Sequence, residues 1–226
     1  MKILQRIGLC FSLFFDLFKG FWQLLYGVWR ISKLPHPIVS IFGGARLKKE
    51  DPYFSQAFEL GKKFVEDDIS VLTGGGPGVM EAANCGAAQA GANGRSIGIS
   101  VSNLGEAHNT CAQEAFEVNY FFARKWLLTH YSAAFIIFPG GFGTLDELAE
   151  VLTMIKTKKM PRVPIILFGV EYWKPFVYWV EHEAIKHGLI DKQDLKLFTL
   201  TDDLDQAFCV VRDECELPTE KKSDRA

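Results

Sequence analysis

The sequence predicts an α/β fold in which a parallel β-sheet is covered by helices on both faces. Short, predominantly apolar segments, such as 38–42 and 134–138, alternate with longer segments that carry apolar residues at helical spacing. Strands of this kind belong to parallel sheets that are buried on both faces. Because crossovers between parallel strands are right-handed, the alternation predicts a doubly wound, Rossmann-like sheet.

Each predicted element has its own signal. The main domain is expected to begin after Leu34, where Pro35 and Pro37 break the chain. Short apolar runs predict strands at 38–42, 69–72, 96–101, 134–138, 164–168 and 197–200, the last as a short edge strand. Apolar periodicity predicts helices at 53–66, 79–90, 120–131, 145–156, 172–186 and 204–214, with a polar loop before the helix at 120.

Composition limits the class of protein. The chain has 226 residues, of which 48% are hydrophobic, and a formal net charge of −2, so it can close one sizeable core. A near-neutral chain argues against a nucleic-acid-binding face, which needs clustered Lys and Arg. The five cysteines form no CxxC pair and no His-flanked metal spacing. We interpret them as reduced thiols of a cytoplasmic protein, and expect no metal or other cofactor.

Residues 1–33 form a separate apolar segment. Its longest charge-free stretches, 7–15 and 20–29, fall short of the roughly 18 to 20 residues that cross a bilayer. We expect one or two helices that pack on the domain or on a partner subunit. The alternative is a helix at a membrane surface, with Trp22, Tyr26 and Trp29 at headgroup level and with Lys2, Arg6, Lys19, Arg30 and Lys33 facing anionic lipid. The predicted main domain is then 34–217, followed by a charged, flexible tail at 218–226.

Three glycine clusters, at 43–44, 74–78 and 140–143, follow predicted strands. In an open parallel sheet, ligands bind beyond the carboxyl ends of the strands. Glycine lets backbone amides approach a ligand closely, and a helix N-terminus attracts phosphate. Neither of the longer clusters is a dinucleotide fingerprint or a P-loop. On these loops alone, a phosphate site and a purely structural turn are equally supported.

The third cluster leads into a helix that carries an acid. The segment Pro139-Gly-Gly-Phe-Gly-Thr-Leu-Asp-Glu147 predicts a helix that begins near Thr144, with Glu147 in its first turn. Taken without context, Thr144 and Glu147 form a capping box, in which each side chain bonds a backbone amide of the other residue.

The segment from Pro139 to Glu147 matches the PGGxGTxxE motif of the LONELY GUY (LOG) family. Thr73-Gly-Gly-Gly-Pro-Gly-Val-Met-Glu81 resembles the family's other glycine loop, and Phe121-Phe-Ala-Arg-Lys125 resembles its Arg-Lys helix motif. The resemblance covers 38–203. It is closer to the longer bacterial branch, formerly labelled "possible lysine decarboxylase", than to the plant enzymes.

The resemblance implies a phosphoribohydrolase that cleaves a nucleoside 5′-monophosphate, AMP or a cytokinin riboside monophosphate, to free base and ribose 5-phosphate. It also implies a homodimer or larger homo-oligomer with the site near a subunit interface. Arg124 and Glu147 match the catalytic pair. The implied substrate-binding positions are Glu106, Lys125, Gly140, Gly141, Phe142, Gly143, Thr144, Leu145, Asp146 and Thr153, and Gly74, Gly75, Gly76, Gly78 and Met80 line the same cleft. Cys85 stands where many bacterial relatives carry arginine, which leaves the identity of the base open.

The chemistry suits these residues. Glu147 would stabilise the positive charge that grows on the sugar ring or activate the attacking water. Arg124 would orient Glu147 or the substrate through a forked hydrogen bond. One alternative is a non-catalytic nucleotide or cofactor carrier on the same scaffold, which could also be membrane-associated through residues 1–30. Lysine decarboxylation is rejected, because no lysine lies in a recognisable pyridoxal motif. An aromatic face at 173–179 is read as packing or as a subunit interface.

Overall fold

The computed structural model describes residues 2–91, 95–102 and 109–216, so Glu106 and the predicted tail at 218–226 lie outside the described residues. The strands are β1 (Ile38–Phe42), β2 (Ser70–Thr73), β3 (Ser96–Val101), β4 (Glu114–Val118), β5 (Ala134–Ile137), β6 (Ile165–Phe168) and β7 (Thr199–Thr201). The α-helices are α1 (Lys2–Ile31), α2 (Pro52–Glu66), α3 (Val79–Ala90), α4 (Phe121–His130), α5 (Phe142–Lys156), α6 (Val170–Trp179) and α7 (Leu204–Glu216). A π-helical turn, Val180–Ala184, continues α6, and a 3-10 helix, Lys192–Leu197, precedes β7.

The seven strands form one parallel sheet in the order β4-β3-β2-β1-β5-β6-β7. The register aligns Val39 with both Val71 and Ala134. The chain runs outward from β1 to β4 and then crosses back to β5, on the other side of β1. The predicted doubly wound α/β fold is therefore confirmed. The reversal of strand order between β1 and β5 predicts a ligand-binding site beyond the carboxyl ends of these two strands.

Strand β4 was missed by the sequence interpretation, which assigned a polar loop to this region. Its residues alternate between exposed and buried, with Ala115 and Glu117 exposed and Phe116 and Val118 buried. Alternation of this kind is typical of a strand with one solvent face. Because β4 lies at the edge of the sheet, it does not share the continuously apolar pattern by which the inner strands were recognised.

Two hydrophobic clusters lie on the two faces of the sheet. The first joins β-strand side chains such as Ile97 and Phe135 to α1, α4, α5 and α6, and the second joins Val71 and Ile136 to α2, α3 and α7. The aromatic face predicted at 173–179 divides between core and surface. Trp173 is fully buried and donates its Nε1 hydrogen to Ile137 O at 3.1 Å, whereas Tyr178 and Trp179 are exposed.

The N-terminal segment is one helix of 30 residues, α1, and its second half packs on α4 and β4. Gly27 allows the closest approach, since a Cβ at that position would lie 2.4 Å from Leu127 Cδ1. Arg30 Nε donates to Glu114 Oε2 at 2.9 Å, and Asn119 N donates to Gln23 Oε1 at 2.9 Å. The predicted packing on the domain is thus present. Among the described residues, no helix combines the length and apolarity needed to cross a membrane.

The interpretation of all five cysteines as reduced thiols is wrong for two of them. Cys85 of α3 and Cys111 form a disulfide, with Cα atoms 4.7 Å apart, while Cys10 and Cys209 are free. The bond ties α3 to the segment that leads into β4. Cysteine usage therefore no longer argues for a reducing compartment, and the cytoplasmic location stays a prediction.

Candidate active site

The predicted glycine loops meet at the carboxyl ends of β1, β2 and β5. Gly44 N donates to Pro139 O at 2.8 Å, and Val79 N donates to Gly44 O at 3.3 Å. These two bonds join the turn after β1 to the turn after β5 and to the start of α3. The three loops therefore form one backbone-lined floor at the point where the strand order reverses, as the sequence predicts.

Gly74 makes room for the guanidinium of Arg124. A Cβ on Gly74 would lie 1.9 Å from Arg124 Nη2 and 2.8 Å from the sulfur of Met80. No residue larger than glycine therefore fits at position 74 unless the Arg124 side chain moves. Arg124 Nε donates to Ile99 O at 3.0 Å, and Nη2 donates to Gly74 O at 3.2 Å. Both of these bonds go to backbone carbonyls, so the predicted role of Arg124 in orienting Glu147 or the substrate stays a prediction. These bonds fix Arg124 of α4 across the ends of β2 and β3.

Glu147 is the buried acid of the site. Its residue is 9% exposed, and its Oε2 has no hydrogen-bond partner among the described residues. Burial raises the pKa of Glu147 to about 7, against the lowering effect of the positive charges of Lys125 and Arg124. The negative charges of Glu150 and Asp146 add a smaller upward effect. A carboxyl group with a pKa near neutrality can exchange a proton at neutral pH, which suits general acid or base catalysis.

Lys125 lies near Glu147 and forms ion pairs with two other acidic residues, Asp146 and Glu150. Its Nζ is 2.9 Å from Asp146 Oδ2 and 3.0 Å from Glu150 Oε2. Burial lowers the pKa of Lys125, but its hydrogen bonds to Asp146 and Glu150 outweigh that effect and leave the pKa raised. Lys125 thus stays charged at neutral pH and supplies a fixed positive charge near Glu147. It also ties α4 to α5.

Helix α5 begins earlier than the sequence suggested. Gly141 is its N-cap and Phe142 its first residue, so Glu147 lies in the second turn and the predicted capping box with Thr144 does not form. Thr144 is buried instead against Gly140, where an added Cβ would lie 2.1 Å from Thr144 Oγ1. Gly141 and Gly143 are exposed. The first amides of α5 therefore face solvent at the positive end of a 15-residue helix, a suitable position for an anion.

Of the remaining predicted substrate-binding positions, some line the floor of the site, some lie on the protein surface, and one lies outside the described residues. Gly74, Gly75, Gly76, Gly78 and Met80 are buried in the floor of the site, whereas Asp146 is exposed and Leu145 is half-buried. Phe142 is 91% exposed. Thr153 is also exposed and lies six residues beyond Glu147, roughly 9 Å along the helix axis, so this chain does not bring it to the buried acid. Glu106 lies outside the described residues.

A buried polar network supports the second glycine loop, and sequence reasoning did not find it. Asn84 Oδ1 accepts from Thr73 Oγ1 at 2.6 Å and from Asn109 Nδ2 at 3.0 Å. Thr73 Oγ1 accepts from Gly75 N at 3.1 Å, and Asn109 N donates to Gly75 O at 3.1 Å. The available signal was an asparagine in the otherwise apolar stripe of α3. Among the described residues, no group of three or more His, Cys, Asp or Glu could hold a metal ion.

Comparisons with known proteins place this site in a family. The family model described as "possible lysine decarboxylase" matches residues 80–210, more than half of the chain. The probable cytokinin riboside 5′-monophosphate phosphoribohydrolase LOG4 of Oryza sativa subsp. japonica is 27% identical over 170 residues, covering 74% of this chain and 73% of the relative. The cytokinin riboside 5′-monophosphate phosphoribohydrolase of Rhodococcoides fascians is 27% identical over 178 residues, covering 77% of this chain and 88% of the relative.

A solved structure shows the same fold. The molybdenum cofactor binding protein from Rippkaea orientalis superposes with a TM-score of 0.57 at 22% identity, covering 78% of this chain and 96% of that protein. Identity at this level supports the fold and says nothing about the ligand. The match of the family model and the named relatives together show that the chain belongs to the LOG family, whose model carries the description "possible lysine decarboxylase".

Proposed function

We propose that this chain hydrolyses the N-glycosidic bond of a nucleoside 5′-monophosphate, AMP or a cytokinin riboside monophosphate, and releases the free base and ribose 5-phosphate. The observation that carries the proposal is Glu147, a buried carboxyl group whose Oε2 has no hydrogen-bond partner among the described residues and whose pKa is raised to about 7. An unpartnered buried acid costs stability. Its presence beside two cations and three glycine loops is explained if a substrate group completes its hydrogen bonding.

The phosphate of the substrate is assigned to the start of α5. The amides after Gly141 point out of the helix end, and no carboxylate occupies the first turn of α5. A phosphate bound there gains from both hydrogen bonds and the helix dipole. The ribose is then held over the floor formed by the glycine loops, with its anomeric carbon toward Glu147. Binding energy from the phosphate positions the bond that breaks.

In the reaction, a water oxygen bonds to the anomeric carbon while the carbon–nitrogen bond breaks and its electron pair passes to the base. The ring carries positive charge in the transition state. Ionised Glu147 stabilises that charge and accepts a proton from the attacking water. Glu147 then passes this proton, directly or through solvent water, to the departing base and returns to its ionised form, which completes the balance. The fixed charges of Arg124 and Lys125 keep a fraction of Glu147 ionised at neutral pH, because they lower its pKa against the effect of burial.

A second copy of the chain is proposed to cover the open side of the site. Phe121, three residues before Arg124 on α4, is 54% exposed, and Phe142 projects into solvent beside the glycine loop. Large exposed apolar groups that border a catalytic cleft are typical of a subunit interface. A partner subunit would also bring its own surface toward Thr153. Size-exclusion chromatography with light scattering tests this, and Phe142→Ser should weaken the dimer without unfolding the monomer.

Product release is the direct test of the activity. Purified protein is incubated with AMP and with cytokinin riboside monophosphates, and the base and ribose 5-phosphate are separated chromatographically. Glu147→Gln should retain AMP binding and lose at least about 10²-fold in turnover, the scale of a lost general base. Glu59→Gln, which changes an exposed glutamate of α2, is the matched control and should keep full turnover. Near-normal turnover by Glu147→Gln would refute the assignment.

The same assay separates this activity from a carrier function. A carrier on this fold would bind a nucleotide or cofactor and return it unchanged. The protein from Rippkaea orientalis, which shares the fold, is named as a molybdenum cofactor binding protein. Unchanged ligand after long incubation with wild-type protein, together with measurable binding by calorimetry, would favour the carrier over the hydrolase. The raised pKa of Glu147 favours the hydrolase, since a carboxyl group that exchanges a proton near neutral pH suits a reaction and is not needed for binding alone.

A further inference from the structure

The N-terminal helix α1 presents an exposed aromatic face that the fold leaves uncovered. Along the helix, six large apolar side chains recur at intervals of three or four residues, and each is between 42% and 62% exposed: Phe11, Phe14, Phe18, Trp22, Leu25 and Trp29. At about 100° per residue they fall within an arc of roughly 80°. If each offers about half of the surface of a large apolar side chain, the face is on the order of 600 Å². Uncovered patches of that size mark interaction sites.

This face points away from the rest of the chain. The residues by which α1 packs on α4 and β4, Gly20, Gly27 and Ile31, are buried and lie on the opposite side of the helix. Before Gly20 the helix keeps a contact with the domain at Asp16, whose Oδ1 accepts from the Tyr120 hydroxyl at 3.2 Å. Leu13 and Leu17 are 57% and 60% exposed there, although they lie near the packed side of the helix. The core of the domain therefore cannot be what covers the aromatic face.

Charge and side-chain type favour a lipid surface over a second copy of the chain. Residues 1–33 contain five Lys or Arg and one Asp, a net charge of +4 in a chain whose formal net charge is −2. If α1 formed a coiled coil with the α1 of a second copy, the contacting positions would be expected to carry Leu, Ile and Val. The aromatic face of α1 instead consists mainly of Phe and Trp. Lys33 Nζ lies 3.2 Å from the ring centroid of Trp29, so a cation borders the aromatic face. Aromatic rings beside cations suit the headgroup region of an anionic bilayer.

We propose that α1 binds the domain to the surface of an anionic lipid bilayer, with its aromatic face buried among the headgroups and upper acyl chains. The helix lies in the plane of the surface and does not span the bilayer, since Asp16 and Lys19 interrupt its apolar stretch. Because the opposite side of α1 packs on α4, membrane binding by α1 would keep α4 close to the bilayer. Because α4 carries Arg124 and Lys125, the candidate active site is held close to the lipid surface.

Vesicle flotation with the full chain tests the proposal. The vesicles contain phosphatidylcholine alone or with about a quarter phosphatidylglycerol, an anionic lipid. Wild-type protein should float with the anionic vesicles, and Phe14→Ser/Phe18→Ser should reduce the bound fraction at least about tenfold. Tyr178→Ser/Leu189→Ser replaces two exposed apolar residues elsewhere and should leave binding unchanged. Lys19→Glu should weaken binding to the anionic vesicles.

The contrary outcomes are equally clear. If wild-type protein stays at the bottom of the gradient with both vesicle types, the proposal is wrong. If light scattering also shows that Phe14→Ser/Phe18→Ser converts an oligomer into a smaller species, α1 covers its face with a second copy of the chain. Circular dichroism of each variant confirms that the fold is intact. The test is independent of the catalytic proposal, because it reads binding and not turnover.

Discussion

Replacing Glu147 by glutamine should make the protein more stable at high pH relative to wild type. In the folded chain the pKa of Glu147 is raised from 4.5 to about 7, mainly by burial. The unfolded chain therefore releases this proton at a lower pH than the folded chain does. Ionisation favours the unfolded state, so wild-type stability falls as pH rises from about 4.5 to about 7. The expected loss between pH 5 and pH 8 is about 2.5 kcal/mol.

The glutamine side chain of the variant carries no titrating proton, so Glu147→Gln lacks this pH dependence. Urea unfolding of both proteins at pH 5, 6, 7 and 8 gives the difference in unfolding free energy directly, and the titrations of groups that do not interact with Glu147 cancel in it. That difference should shift in favour of Glu147→Gln by about 2.5 kcal/mol across the series. A difference that stays constant from pH 5 to pH 8 would show that the acid is solvated, and the argument for a neutral-pH proton donor and acceptor would fail.

Three further predictions concern the position of Arg124, the disulfide and the hydrophobic core. Gly74→Ala places a methyl group where the Arg124 guanidinium lies, so kcat/KM should fall about 10²-fold or more; unchanged kinetics would show that Arg124 is free to move. Reduction of the Cys85–Cys111 disulfide, which closes a separation of 26 residues, should lower the unfolding free energy by about 3.5 kcal/mol, measured by urea unfolding with and without dithiothreitol. Trp173→Ala should cost about 3 to 5 kcal/mol in the same unfolding assay; a loss below about 1 kcal/mol would contradict its place in the core.

The inner part of the fold could be predicted from the sequence because its signals are physical requirements. Strands such as β1 and β5 are buried on both faces, and such positions favour predominantly apolar segments. The buried Ser40 of β1 is accommodated because its hydroxyl donates to Leu128 O at 2.7 Å. The glycine clusters mark places where backbone must approach backbone, as at Gly44 and Pro139. The positions of the loops relative to one another then follow from the parallel topology.

The features that were missed have weaker local signals. Strand β4 is an edge strand and alternates in polarity, so it lacks the pattern of the inner strands. The Cys85–Cys111 bond depends on two segments meeting in space, which spacing alone does not reveal. The roles of Arg124, Lys125 and the glycine loop rest on the family resemblance and on the present geometry, and they stay predictions until substrate is bound.

The start of α5 explains both an error of the sequence interpretation and the chemistry of the site. Because the helix begins at Phe142, its buried stripe contains Thr144, Glu147, Leu148, Val151 and Ile155. An acid in the first turn, where it was predicted, would bond free amides, face solvent and keep an ordinary pKa. In the second turn Glu147 instead shares a stripe with apolar residues that face the sheet, and burial raises its pKa. An acid at an apolar position of a helical repeat is therefore the sequence signal for this site, and it can be read without reference to any family.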